Sequence, residues 1–414
     1  MRRFLFLIIL LLPSVARSQI TLEEYRQNVV DYSYTLKKDV AAIDYAVEIY
    51  GAKRTGFLPS LTLSGEFSEQ LRSLDSQEQW SFSLQPQISQ TIYGGGAVRA
   101  AAQSAALGVD VAEADAFYDL LEVSYTADYY YYHLAAMGSS RQAVDDYVEI
   151  ISSLKEVVEL RYREGYIAKG DLLMIETRLS EALYEQIAMD ESYTIALQKF
   201  NILQGGAPQA AAMLVEQRTD AIDMPRRVAF DQLLMQRPDF AASILAEQQS
   251  QWAVVTARAS YNPTVSVGIA GLWHPNTPNV NGSTVMDGSI FVKLSAPIFH
   301  FGERRRSVGA ARALQNSSEL TTMALVDAIR LEESNMWATI VDSYAQMEAA
   351  RKALTIGGEN LEISTFSYSE GLTTILDVMQ AQISWLQLYT NSIWSEFNYL
   401  VALSAYRRIT AEVE

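Results

Sequence analysis

Two long stretches of the chain carry apolar residues at alternating spacings of three and four. In the first stretch the series is Val144, Tyr147, Ile151, Leu154 and Val158. In the second stretch the series is Met379, Ile383, Leu386, Thr390, Ile393, Phe397 and Leu400. This spacing puts the side chains on one face of a helix and is typical of a coiled-coil seam.

Proline placement predicts how long these helices are. No proline occurs within 87–207 or within 298–414, and proline is the residue that most strongly interrupts a helix. Both stretches are rich in Ala, Leu, Glu, Gln and Arg, which favour helix. The sequence therefore predicts one helix over 97–164 and another over 303–370. At about 1.5 Å per residue each is roughly 100 Å long, which is too long for an ordinary compact domain.

Four shorter segments alternate apolar and polar residues with a period of two, the pattern of strands with one apolar face. They predict two β-hairpins, at about 57–93 and about 261–301, with polar turns near 70–78 and 274–287. The apolar series are Leu61, Leu63, Gly65 and Phe67; Trp80, Phe82, Leu84, Pro86 and Ile88; Val265, Val267, Ile269, Gly271 and Trp273; and Ile290, Val292, Leu294, Ala296 and Ile298.

Such strands, with tryptophans near their loop ends, resemble the lipid-facing strands of a membrane barrel. An ordinary soluble hairpin packed on a core is the alternative. A membrane barrel needs about eight strands or more, because every strand edge must be paired in lipid. If these four strands belong to a barrel, several chains must share it, and three chains would supply about twelve strands.

The sequence also contains two copies of one pattern. Tyr162-Arg163-Glu164-Gly165, with Asp171 following, returns 206 residues later as Tyr368-Ser369-Glu370-Gly371, with Asp377 following. The same offset relates 92–96 to 298–302, and a nearly equal one relates 57–59 to 261–263. We therefore predict an internal duplication, with a first repeat at 19–204, a linker at 205–230 and a second repeat at 231–414.

Residues 1–18 have the features of a secretory signal peptide: a positive start, an apolar run and a small-x-small cleavage site. Without them, 29 Lys and Arg remain against 49 Asp and Glu, and such an acidic surface repels nucleic acid. The chain has no cysteine, which excludes disulfides and thiolate metal sites. Its three histidines, at 133, 274 and 300, lie far apart. We predict no metal, no cofactor, no catalytic group and no enzyme activity.

Taken together, the motifs resemble the outer-membrane efflux proteins of the TolC family over residues 21–412. The characteristic elements are the helix opening Gln236-Arg237-Pro238-Asp239-Phe240, the strand entries at 59–65 and 263–271, the strand exit at 297–302, and the repeated Tyr-x-x-Gly followed by Asp.

This resemblance implies a mainly α fold with a membrane β-barrel part. In this family three identical chains share a twelve-stranded barrel in the outer membrane of a Gram-negative bacterium, and their long helix hairpins form a periplasmic α-barrel. The implied function is a passive exit duct for tripartite efflux or type I secretion. The implied partners are outer-membrane lipid, a periplasmic adaptor protein and an inner-membrane transporter of the RND, ABC or MFS class. A trimeric coiled-coil surface protein or adhesin is the alternative, but it accounts for neither the repeat nor the hairpins.

The candidate functional residues lie at the tips of the helix hairpins. Gly165 and Gly371 end the two long helices, where a left-handed cap requires glycine. Asp171 and Asp377 open the return helices, where free N–H groups and the helix dipole stabilise a carboxylate. Capping alone explains both aspartates.

The resemblance adds a gate and an adaptor-docking surface at these tips. In well-studied members, the aspartate matched by Asp171 pairs with an arginine at the position of Thr373, and the tyrosine matched by Tyr368 cooperates with it. Tyr162 is the counterpart of Tyr368 in the first repeat. Members also carry a ring of two acids in the channel mouth, which are Asp377 and Gln380 here. The sequence therefore predicts a resting gate whose bonds differ from those of the best-known channels.

Overall fold

The computed structural model describes residues 19–69, 80–215, 224–276 and 285–412. The predicted signal peptide at 1–18, the polar turn near 70–78, most of the turn near 274–287 and part of the predicted linker lie outside the described residues. The chain divides into two compact units. The strand unit is Tyr34–Asp119 with Ala229–Glu332, and the tip unit comprises the described parts of Met1–Ser33, Leu120–Val228 and Glu333–Glu414.

Within the described ranges, the order of elements is the same in both halves of the chain. The elements are α1 Leu22–Tyr32, α2 Tyr34–Arg54, β1 Ser60–Glu69, β2 Trp80–Tyr93, α3 Ala97–Arg163, α4 Lys169–Leu203, α5 Phe230–Gln236, α6 Pro238–Ala259, β3 Thr264–Asn276, β4 Val285–Ser295, α7 Glu303–Ser369 and α8 Ile375–Ile409. The long helices α3 and α7 each have 67 residues, and the return helices α4 and α8 each have 35. The prediction of two long helices is confirmed to within one residue.

One helix before the hairpin in each half, α1 and α6, starts from local polar contacts. At α1 the Thr21 hydroxyl accepts a hydrogen bond from the Glu24 N–H, and the Glu24 carboxylate accepts one from the Thr21 N–H, both at 3.1 Å. This is a capping box. At α6 the buried Arg237 donates to Asp239 at 2.9 and 2.7 Å and to Glu332 of α7 at 2.7 Å. The Arg-Pro-Asp motif therefore locks the start of α6 to α7.

The seam predicted for α3 forms a core of the tip unit. All five of its residues, from Val144 to Val158, are buried, and they cluster with Ile175 of α4 and Val378 of α8. The α8 seam is broader than predicted. Leu386, Phe397 and Leu400 are buried, but Met379, Ile383, Thr390 and Ile393 are only half-buried, and Tyr399 and Leu403 are buried as well.

The four strands form one antiparallel sheet in the order β1-β2-β3-β4. Apolar residues pair with apolar residues, as in Phe67 with Phe82 and Val267 with Val292, and the two hairpins join through β2 and β3. One part of the strand prediction is wrong, because β4 ends at Ser295 and does not include Ala296 or Ile298. Ser295 pairs with Thr264, the first residue of β3, so no partner backbone lies beyond it. Pro297 also has no N–H to donate.

The apolar face of this sheet is uncovered within the chain. Ile290 is 85% exposed, and Leu61, Leu63, Phe67, Val292 and Leu294 are also exposed. Among strand residues whose side chains the structure describes, only Ala270 is buried. A soluble antiparallel sheet packs one face on a core, so the soluble-hairpin alternative does not fit. Among the helices that the structure describes, none is both long enough and apolar enough to cross a membrane.

Candidate functional site at the helix-hairpin tips

Both long helices end in the same hydrogen-bonded turn. After α3, Gly165 has φ +81°, its N–H donates to the Tyr162 carbonyl at 3.0 Å, and the Tyr166 N–H donates to the Arg161 carbonyl at 2.9 Å. After α7, Gly371 has φ +77° and the equivalent bonds run to Tyr368 and Ser367 at 2.9 and 2.8 Å. This pair of bonds is the Schellman motif. A Cβ placed on either glycine meets no atom within 4 Å, so the backbone angle, and not crowding, requires glycine.

The two return helices start differently. At α8 one oxygen of the Asp377 carboxylate accepts hydrogen bonds from the Thr373 and Thr374 hydroxyls, both at 2.7 Å, and from the Thr374 N–H at 3.1 Å. These bonds, those from the Thr374 side chain first, hold the pKa of Asp377 below its ordinary value. The capping interpretation of Asp377 therefore agrees with the geometry.

Asp171 occupies the corresponding place in the first turn of α4, but its surroundings lack those donors. The cap residue there is Ala168, and it makes no side-chain hydrogen bond to the helix start. Within the described residues no hydrogen bond reaches the Asp171 carboxylate. Asp171 instead lies near Tyr368, where its negative charge contributes to a raised tyrosine pKa after the larger effect of burial. Asp171 therefore lies beside Tyr368 in the first turn of α4, without a capping hydrogen bond.

The two matched tyrosines have different environments. Tyr162 is 38% exposed, whereas Tyr368 is 4% exposed. The Arg161 guanidinium of α3 lies 4.8 Å from the centre of the Tyr368 ring. Its Nη2 also donates to the Ser369 carbonyl at 2.6 Å. Arg161 therefore joins the end of α3 to the end of α7 within one chain.

An open cleft of about 890 Å³ separates the two tips. Arg161, Asp171, Tyr368 and Thr373 line it together with exposed apolar residues of both tips. Gln380 lies on an exposed part of α8, where its side chain donates to Ser384 at 3.4 Å. The structure thus gathers Asp171 and Tyr368 at one cleft, and it places Asp377 and Gln380 in the first turns of α8.

The tips present an apolar surface. Tyr166 and Leu372, which follow the two glycines at equivalent positions of the repeat, are both strongly exposed. Leu160, Phe366 and Leu376 are exposed beside them. Exposed apolar patches of this kind mark sites of protein–protein contact.

Sequence reasoning missed Arg161. The position-by-position comparison of the repeats contains a signal for it, since the counterpart of Arg161 is Ser367 and the neighbouring tyrosines match. At Arg161 this difference between the repeats coincides with a contact between them.

Comparison with known proteins gives a family and a fold. The family described as "Outer membrane efflux protein" matches residues 26–206 and 229–410. Nodulation protein T of Rhizobium leguminosarum bv. trifolii is 24% identical over 381 residues, which is 88% of this chain and 79% of that protein.

Solved outer-membrane channels share the fold at low sequence identity. The outer membrane protein VceC from Vibrio cholerae superposes with a TM-score of 0.79 at 18% identity, covering 94% of this chain and 95% of that one. The CmeC outer membrane channel of Campylobacter jejuni gives 0.82 at 16% identity, covering 94% and 85%. The open state of the MtrE outer membrane channel of Neisseria gonorrhoeae gives 0.79 at 16% identity, covering 94% and 88%.

Proposed function

The chain belongs to the outer membrane efflux protein family, and from that premise we propose that three copies of it form the exit duct of a tripartite efflux or type I secretion system. The protein is an outer-membrane efflux channel that extends into the periplasm. The alternative of a coiled-coil stalk or adhesin has no support, because it does not account for a sheet with an exposed apolar face. We also infer that 19–204 and 231–414 are the two repeats, with 205–230 between them.

One observation carries the trimer. In the described residues, β1 pairs only with β2 and β4 only with β3, so the sheet has two open edges beside its exposed apolar face. Lipid tolerates neither open edges nor an incomplete barrel. Three sheets joined edge to edge close a barrel of about twelve strands, within the range of outer-membrane barrels.

The protein purified in mild detergent is therefore expected to have the mass of three chains. Light scattering with correction for bound detergent measures this mass, and circular dichroism checks that the helices are intact. A single-chain mass with full helix content would contradict the proposed duct, because four strands cannot close alone.

In the proposed duct, the hairpin tips form the gate and the docking surface for a periplasmic adaptor. The exposed Tyr166 and Leu372 support docking, because they offer apolar area that one chain leaves uncovered. Asp171, Tyr368 and Arg161 support a gate, because they lie together where the two tips meet. In this proposal an inner-membrane transporter of the RND, ABC or MFS class supplies the energy. Tyr162, Gly165, Gly371, Thr373, Asp377 and Gln380 shape the same surface.

Replacing Asp377 with asparagine is expected to lower cation selectivity in single-channel recordings. In a trimer the exposed Asp377 is present three times at the narrow mouth, and a ring of like charges favours cations. Asparagine can still accept the hydrogen bonds from Thr373 and Thr374, so the helix cap survives while the charge is lost. Because the family's second acid is Gln380 here, the effect is smaller than in channels with both acids.

The pH dependence follows from the direction of the pKa shift. The pKa of Asp377 is lowered from its ordinary value of 3.8 by the threonine hydrogen bonds, so its charge persists at neutral pH. The selectivity it supplies is lost only as the pH falls through that lowered value. Asp342→Asn, an exposed aspartate on α7, is the matched control. Unchanged selectivity in Asp377→Asn would reduce this residue to a helix cap.

A further inference from the structure

The four strands meet the helices at one end of the sheet, where β1 and β3 begin and β2 and β4 finish. The register pairs Ser60 with Ser89 at the start of β1, and Thr264 with Ser295 at the start of β3. The end of β2 pairs with the start of β3 through Tyr93 and Val265. This end of the sheet therefore holds the last residues of α2 and α6 and the first residues of α3 and α7. We call it the junction.

The junction is basic in an acidic chain. The whole chain has 49 acidic and 32 basic residues, yet within 51–58, 94–100, 258–263 and 296–306 the only acidic residue is Glu303. Lys53, Arg54, Arg99, Arg258, Arg304, Arg305 and Arg306 lie in the same four segments, and none of the seven is buried. Such a local excess of positive charge creates a surface that attracts anions.

Part of this basic set is present in both repeats. Arg54 and Arg258 occupy equivalent positions at the ends of α2 and α6, separated by the same 204 residues that separate Phe57 from Tyr261. Arg99 and Arg305 occupy equivalent positions in the first turns of α3 and α7, at the offset of 206 that relates the tips. The positive charge at the junction is therefore a feature of the repeated unit.

The arginines of α7 lie where a helix least favours them. Arg304, Arg305 and Arg306 follow Glu303 in the first turn, at the positive end of the helix dipole. Within the described residues, none of the three forms an ion pair with an acidic side chain, and Glu303 itself faces His300 at 3.6 Å. Free N–H groups and positive side chains at one helix start together attract an external anion, above all a phosphate.

Apolar side chains lie beside these charges. Four apolar residues are exposed at the junction: Phe57, Leu58, Ile298 and Phe299. Phe301 is 90% exposed and has φ +46°, although the equivalent residue of the first repeat is Gly95 at φ +64°. A left-handed phenylalanine is strained; its ring packs edge-on against Phe299, with the ring centres 4.6 Å apart, and the pair stays exposed. The two rings thus add exposed aromatic area beside the basic residues.

We propose that the junction binds the headgroups of anionic phospholipids in the periplasmic leaflet of the outer membrane. The basic residues contact the phosphates, and Phe57, Phe299 and Phe301 enter the acyl boundary. This rests on the proposed membrane barrel, whose apolar face would place the junction at that depth. The aromatic residues favour lipid over a soluble anion, since a phospholipid has acyl chains that contact them and a free phosphate has none.

Native mass spectrometry of the detergent-solubilised trimer tests this site. The trimer is mixed with dioleoyl phosphatidylglycerol or with dioleoyl phosphatidylcholine, and the lipids retained per trimer are counted. We expect the wild type to prefer phosphatidylglycerol. The variant with Arg304→Gln, Arg305→Gln and Arg306→Gln is expected to lose at least about half of the retained phosphatidylglycerol, because charge near a headgroup surface drives retention. The corresponding triple lysine variant should keep it.

Two controls distinguish lipid binding at the junction from a general charge effect and from binding of a free ion. Arg312→Gln removes an arginine of α7 beyond the first turn, and it should leave the lipid count unchanged. Excess inorganic phosphate should not displace phosphatidylglycerol; displacement would identify an ion site and overturn the proposal. Equal lipid retention by wild type and the triple glutamine variant would overturn it too. If that variant fails to assemble, Arg304→Gln and Arg306→Gln are tested singly, and unchanged lipid counts in both would likewise overturn it.

The same spectra keep this proposal separate from the proposed duct. They report the mass of the protein, so a single-chain mass rejects the duct itself. A triple glutamine variant that is trimeric and conducts in planar bilayers, but retains wild-type amounts of phosphatidylglycerol, rejects only the lipid site.

Discussion

Replacing Gly371 with glutamate is expected to abolish export while the trimer still assembles. The backbone at this position has φ +77°, and a side chain there costs about 1–2 kcal/mol. The tip turn, held by the Gly371 and Leu372 N–H bonds, would shift. Three new carboxylates would also enter the apolar surface around Leu372 and Leu376, where we propose that the adaptor docks. The strands and the α3 core lie outside this turn, so assembly should be unaffected.

Three measurements on this variant separate docking from folding. Export is measured in cells that contain the cognate adaptor and pump, adaptor binding on the purified trimer, and assembly by mass in detergent. Gly358→Glu is the control, because Gly358 lies inside α7 and its Cβ would meet no atom within 4 Å. Gly371→Ala adds the backbone strain without the charge, and an intermediate loss is expected. Normal export by Gly371→Glu would remove this tip from the docking surface.

The long helices could be predicted from sequence because their causes are local. Proline-free stretches rich in helix-favouring residues fix where α3 and α7 run, and their ends differ from the predicted ones by a single residue. The glycine turns are local too, since a left-handed cap needs glycine whatever surrounds it. Their measured φ angles and hydrogen bonds agree with the prediction.

Features that depend on a partner segment were harder to predict. The alternation of apolar residues continues past Ser295 to Ile298, but β4 stops where β3 supplies no further backbone. The α8 seam underestimates burial because α8 contacts more than one neighbour, so residues off the seam, such as Tyr399, are buried. Periodicity describes one face of one element and says nothing about a second contact.

The two tip aspartates show what local sequence can predict and what it cannot. Capping explains Asp377, whose neighbours Thr373 and Thr374 supply hydroxyl donors. At Asp171 the corresponding neighbours are Ile167 and Ala168, which have no hydroxyl to donate, so only the helix dipole of α4 remains. This difference is visible in the sequence once the repeats are aligned. The contact from Arg161 to Ser369 is not, because it joins residues 208 positions apart.

That contact carries the second large prediction, that Arg161→Ala loosens the resting tip. A hydrogen bond from a charged donor contributes about 1.5–3 kcal/mol, and an exposed cation–π contact about 0.5–1 kcal/mol. Discounted for exposure, the pair holds the two tips together by roughly 2 kcal/mol, which corresponds to about thirtyfold in an equilibrium. We therefore expect the purified channel, without adaptor, to open at least about tenfold more often in planar bilayers.

Arg163→Ala is the matched control for this test. Arg163 has the same charge, lies in the same last turn of α3, and pairs at 3.1 Å with Glu159 of its own helix. A general effect of lost positive charge at the mouth would appear in both variants, whereas a latch between the tips would appear only in Arg161→Ala. Equal opening rates in the two variants would therefore assign Arg161 to local packing. A selective rise in Arg161→Ala would mean that the arginine missing at Thr373 has been replaced by one on the other hairpin, with the latch formed inside each chain.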